Sequence, residues 1–188
     1  APRAISPDGR DWCRRLVLAM GEASVTPCIV SGLAFGADGI AHRTALECGI
    51  PTVGVMATGI EKIYPWQHAE LAGQMVRTPD CAVVTDYPLG SSPVALNFIR
   101  RNRIIAGLSR ATVVIESKTR GGSLITAKYA CDYNRDVFAL PRRLDDPRPA
   151  GRPGDTPRRP DPAERNAVRG ILLFAVPTKR HMRQKIAG

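Results

Sequence analysis

The chain has 188 residues, 27 Lys+Arg against 17 Asp+Glu, and a formal net charge of +10, which points to a polyanion partner because a basic surface attracts phosphates without base-specific contacts. At 44% hydrophobic and 23% charged residues the composition is that of a soluble globular domain with a short appendage, not of a disordered chain. Its interrupted apolar runs lead us to expect neither a membrane-spanning helix nor a leader sequence.

In chain order, helical spacing over 9–23 precedes a β-rich run at Cys28-Ile29-Val30. Further strands are expected at 52–56, 81–85, 112–115 and 137–140, alternating with helices near 38–48, 66–77, 98–108 and 123–133. Strands that are apolar throughout, separated by helices, indicate a mostly parallel sheet covered on both faces. The expected fold is an α/β, extended Rossmann-like, doubly wound layer structure, in which ligands bind beyond the carboxyl ends of the strands.

The loops at those ends carry the chemistry. Ser31-Gly32-Leu33-Ala34-Phe35-Gly36-Ala37-Asp38-Gly39 is a strand-to-helix glycine turn whose amides could face an anion. Its Gly-x-x-x-Gly-x-x-Gly spacing matches neither the dinucleotide fingerprint nor a P-loop, so no NAD or ATP cofactor is expected, and a tight turn without ligand is the alternative. Asp38 and His42 are four apart; with no third ligand nearby, a capping Asp beside a buried His is favoured over a metal pair. Tyr64 is expected to pack against the sheet, with stacking on a ligand as the alternative.

Phe98-Ile99-Arg100-Arg101-Asn102-Arg103 places three arginines beside an aromatic at an expected helix start. Positive charge there opposes the helix dipole, a cost that a bound anion would offset. The pattern fits a single-strand platform with one stacked base and clamped phosphates; the plain alternative is a solvated basic face. Gly121-Gly122-Ser123 opens the next helix, with Lys128 one to two turns on.

The five cysteines, at 13, 28, 48, 81 and 131, include no Cys-x-x-Cys pair, so neither a zinc ribbon nor a disulfide framework is expected, and the thiols suit a reduced cytoplasm. Residues 1–141 have a net charge of +3 and residues 142–188 a net of +7. The second segment, with seven of the 16 prolines, reads as a Pro/Arg-rich linker or tail, with helical spacing through Val168, Leu172 and Leu173.

Taken together, the Ser-Gly-Leu-Ala-x-Gly-x-Asp-x-x-Ala-His stretch at 31–42, Gly59 with Tyr64-Pro65, Asn97-Phe98 with 101–109, and Gly122-Ser123-Leu124-Ile125-Thr126-Ala127 resemble the DNA-processing protein A (DprA/Smf) family over about residues 1–151. The resemblance implies a domain that binds single-stranded DNA without sequence specificity, protects it, and helps load RecA recombinase in natural transformation. It implies a homodimer, no cofactor and no catalysis. By position it assigns DNA contacts to Arg3, Ser31, Gly32, Gly36, Phe98, Arg101, Asn102, Arg103, Gly122, Ser123 and Lys128.

The chain departs from the family at both ends. Ala1 stands where the family has glycine, the strand expected before Arg3 is missing and would leave an open sheet edge, and the family's N-terminal helical domain is absent, as in a fragment. After Gly151 the family's dimer-related segment is replaced by Arg152-Pro153-Gly154-Asp155. The alternative function is a nucleotide phosphoribohydrolase of the lysine-decarboxylase-like Rossmann group. That group has a Pro-Gly-Gly motif followed closely by an acid, whereas here no acid follows Gly122 until Asp132.

Overall fold

A computed structural model describes residues 5–116, 121–140 and 172–177. Arg3 and the tail segments 141–171 and 178–188 lie outside them.

Helix α1 (Pro7–Gly21) starts where its chemistry dictates. The Ser6 side chain accepts from the Gly9 amide at 3.0 Å, Pro7 supplies a helix-ready φ, and Asp8 places negative charge at the positive end of the dipole. Strand β1 (Pro27–Ser31), α2 (Ala37–Glu47), β2 (Thr52–Val55), a 3-10 turn (Trp66–His68), α3 (Ala69–Arg77) and β3 (Ala82–Val84) follow. Then come α4 (Ala95–Leu108), β4 (Ala111–Val114), α5 (Gly122–Asp132), β5 (Asp136–Ala139) and β6 (Leu172–Pro177).

One sheet runs in the order β3-β2-β1-β6-β4-β5. Strand pairs β1/β2, β2/β3 and β4/β5 are parallel, with Ile29 beside Thr52 and Val53 beside Ala82. Alternate residues face opposite layers, as a period of two requires. Ile29 and Val113 join Cys13, Val17, Ala41 and Ala45 under α1 and α2, while Val83 joins Leu33, Leu71 and Met75 under α3. On the other face Val30, Val55 and Val114 pack with Ile105 of α4 and Ala127 of α5. Gly54 falls where the sheet meets Leu33: a Cβ there would stand 2.6 Å from Leu33 Cδ1 and 3.1 Å from Met75 Cε.

Strand β6 differs from expectation. Residues 172–177 pair antiparallel with both β1 and β4, Ala175 lying between Ile29 and Ala111. They are extended, not helical, and they lie inside the sheet between β1 and β4. The reason is physical: a short continuous apolar run such as Leu172-Leu173-Phe174-Ala175-Val176 suits a buried strand and a buried helix alike, and distant pairing partners decide between them.

His42, on α2, is fully buried and its Nδ1 lies 2.7 Å from Thr52 Oγ1. The Thr52 hydroxyl donates to the Ile29 carbonyl at 2.9 Å, so it accepts from His42 Nδ1–H; Nε2 has no hydrogen-bond partner among the described residues. Burial, first of all, pushes His42 down to about 3, with the charges of His68, Arg101 and Arg43 acting the same way. The unfolded chain therefore takes up a proton below about pH 6.5 that the folded one refuses. Stability should be fully present above pH 6.5 and fall as pH drops from there toward 3, by up to about 1.4 kcal/mol per pH unit. Urea midpoints from pH 7 to 4 check this, and His42→Gln should flatten the slope.

Candidate nucleic-acid interface

The carboxyl ends of β1, β2 and β3 and the start of α5 lie along one edge of the sheet, and α4 crosses it. Helix α4 begins at Ala95, earlier than the sequence pattern indicated, so the arginine run occupies its second and third turns. The expected conflict with the helix dipole is thereby removed, because that effect fades within the first turn.

The three arginines have three different fates. Arg101 is 4% exposed. Its Nη1 donates to the carbonyl of Gly32 at 2.6 Å and to that of Val55, and its Nε donates to Asn102 Oδ1 at 3.2 Å. Arg103 reaches outward and pairs with Asp86 in the loop after β3. Arg100 is exposed and makes no ion pair among the described residues. Arg101, expected from the resemblance to contact DNA, braces the fold, whereas Arg100, to which no contact was assigned, is turned to solvent together with Arg103.

Gly32 is closed on both sides. A Cβ would stand 2.4 Å from Arg101 Nη1, so only glycine admits the guanidinium. Asp38 Oδ2 accepts from the amides of Gly32 and Ala34, both at 3.2 Å, and the Ser31 hydroxyl bonds the same carboxylate. Of the two readings of this turn, the structure favours the tight one: the Gly32 and Ala34 amides are turned inward to Asp38, whose buried carboxylate needs donors. Burial pushes the Asp38 carboxyl up, against the opposing pull of Arg101 and of its amide and hydroxyl donors. Gly36 caps α2 at φ 94°, ψ −132°, a conformation that side chains disfavour.

Asn102 carries the connection onward, its Nδ2 donating to the Gly122 carbonyl at 3.3 Å. Both glycine turns are thus tied through α4. Ser123 is half-buried in the first turn of α5. Lys128 is exposed, five residues on and so roughly 140° round the helix from it at 3.6 residues per turn. Asp132, the first acid after Gly122, is the last residue of α5, about 15 Å along its axis at 1.5 Å per residue.

Aromatic rings lie near Arg101 and at the neighbouring strand ends. Phe98 is half-buried, with the Arg101 guanidinium 5.9 Å from its ring centre. Tyr64, from the loop after β2, meets it edge-on at 5.5 Å and is 47% exposed, so it does not pack against the sheet as expected. Phe35, after β1, leans on His68 at 5.2 Å, and His68 Nδ1 donates to the Leu33 carbonyl at 2.7 Å.

A doubly wound α/β layer with glycine turns and aromatic rings at its strand ends, and exposed arginines on the adjoining α4, defines a Rossmann-like module. The family profile of DNA recombination-mediator protein A matches residues 2–153, and the chain belongs to that family. It is 45% identical over 137 residues to Protein Smf of Synechocystis sp., covering 73% of this chain and 33% of that protein. Protein Smf of Escherichia coli is 42% identical over 145 residues, covering 77% of this chain and 38% of that one. The fold superposes on DNA processing protein A of Streptococcus pneumoniae with a TM-score of 0.68 at 37% identity, covering 77% of this chain and 52% of that one. DNA processing protein A of Helicobacter pylori, whose structure describes a single-stranded DNA binding mode, gives 0.66 at 25% identity, covering 78% and 64%. The chain spans about a third of the length of these two curated relatives.

Removing Arg101 would leave the Gly32 and Val55 carbonyls without their buried donor and take away the positive charge that favours Asp38, and at about 1–3 kcal/mol for each unpaired acceptor the loss is roughly 2–6 kcal/mol. Arg101→Ala should lower unfolding stability by that amount, whereas Arg103→Ala, which breaks an exposed pair, should change it by less than about 1 kcal/mol. Denaturant titrations of the two variants give the comparison.

Proposed function

We propose that this chain binds single-stranded DNA, without reading its sequence, along the carboxyl edge of the sheet. One observation carries the reading: α4 presents exposed Arg100 and Arg103 and half-buried Phe98 on one helix, fixed in place by Arg101 beneath them. Exposed guanidiniums suit phosphates, and an aromatic face suits any unpaired base. The single-stranded DNA binding mode of the Helicobacter pylori relative supports the same reading.

In this reading Arg3, Arg100, Arg103 and Lys128 neutralise phosphates, Ser123 meets one at the start of α5, and Phe98 stacks a base. Ser31, Gly32, Gly36, Arg101, Asn102 and Gly122 shape the groove. The biological role we infer is the family's: protection of incoming DNA in the cytoplasm and its handover, from a homodimer, to RecA recombinase during natural transformation, with no chemical step on the strand.

Four neutralised phosphates on a single strand give a log–log salt slope of about −2 to −3. Anisotropy titrations with labelled oligo-dT should show that slope, with far weaker binding to a duplex of equal length. Arg100→Ala combined with Arg103→Ala should weaken binding and make the slope shallower by about 1.4, at about 0.7 per phosphate. An unchanged slope would show that the strand lies elsewhere.

A further inference from the structure

Tyr64 meets Phe98 at the interface but has no DNA contact assigned to it above. The loop that carries it is braced on every side. Thr58 Oγ1 donates to the Lys62 carbonyl at 2.7 Å, and the Lys62 amide to the Gly59 carbonyl at 3.0 Å. Thr85 Oγ1 reaches across from the end of β3 to the Thr58 carbonyl at 2.8 Å, and Glu61 Oε1 accepts from the Gly90 amide at 2.8 Å. Pro65, directly after Tyr64, is buried. A loop tied to its neighbour in this way has already lost its backbone freedom, so a ligand meeting Tyr64 orders little more than itself.

What the loop presents is an aromatic ring, 47% exposed, at 63° to Phe98 with centres 5.5 Å apart. The two rings come from different elements, the β2–α3 loop and α4, and meet only at the strand-end edge. The edge-to-face contact uses the rim of one ring and leaves aromatic surface open. Arg100 and Arg103 are exposed on the same helix, roughly 160° and 140° round it from Phe98 at 3.6 residues per turn, so a partner that meets both must carry flat apolar surfaces and repeated negative charge along a flexible chain. Unpaired nucleobases on a phosphate backbone have that chemistry; paired bases, with their faces already stacked, do not.

We propose that Tyr64 forms a second base-stacking subsite, taking an unpaired nucleobase adjacent to the one on Phe98. The assignment rests on the single-strand reading above and adds to it a contact that is sensitive to bases and indifferent to phosphates. Tyr64 therefore acts on affinity without acting on the salt slope, and its hydroxyl is dispensable.

The test compares native protein, Tyr64→Ala and Tyr64→Phe on labelled oligo-dT and on an abasic strand of the same length. Tyr64→Ala should weaken oligo-dT binding by between about fivefold and a hundredfold, the range for one stacked base. It should leave the salt slope and the abasic affinity unchanged, and Tyr64→Phe should bind like the native protein. Equal losses on both strands, or no loss on oligo-dT, would overturn the subsite while leaving the DNA reading standing. Native protein that fails to bind oligo-dT at all would overturn that reading and the subsite with it. A measurement that needs no variant is photo-crosslinking of native protein to a 5-bromodeoxyuridine strand: adducts at both Tyr64 and Phe98 are expected, and adducts at Phe98 without Tyr64 count against the subsite.

Discussion

The architecture of the interface depends on one buried guanidinium. Arg101 lies under α4 where the ends of β1 and β2 converge, and it binds groups from three separate segments: the Gly32 carbonyl, the Val55 carbonyl and the Asn102 side chain. Burial, before anything else, works against its charge, and the carboxylate of Asp38 opposes that cost. One nitrogen, Nη1, serves both strand ends through its two N–H bonds, while Nε is left to hold Asn102. Asp38 completes the arrangement from below by taking the Gly32 and Ala34 amides.

This arrangement divides α4 by face. Residues 101 and 105, four apart, turn toward the sheet with Ala106, while Arg100 and Arg103 are left on the solvent side. The inward arginine fixes where the outward ones stand. Gly32 must be glycine for the guanidinium to approach, and Gly54 must be glycine for Leu33 to cover the sheet beside it. The loops after β2 and β3 are bonded to one another, and Arg103 and Asn97 tie α4 to the second of them.

Much of this was legible beforehand. The β-rich runs Cys28-Ile29-Val30 and Thr52-Val53-Gly54-Val55 read as strands covered on both faces, and the helical spacing between them indicated crossovers. The division of labour among Arg100, Arg101 and Arg103 was harder. All three have the same chemistry, and only the phase of α4 separates them. A cue existed: counting back one turn of four from Ile105, a core position, lands on Arg101. Strand β6 had no such cue, since its partners β1 and β4 lie far away in the chain.

By itself, then, the sequence determined the local alternatives: which stretches were apolar enough to be covered on both faces, where glycine permitted a sharp turn, and that cations and aromatics would gather at strand ends. Tertiary structure alone decided which arginine was buried, that Asp38 would fill the amides of the first turn, and that Tyr64 would meet Phe98. The reason is that propensity and periodicity act over a few neighbouring residues. A buried charge, by contrast, must find its partners wherever the chain brings them, and here they come from β1, β2 and α2, brought under α4 by the fold.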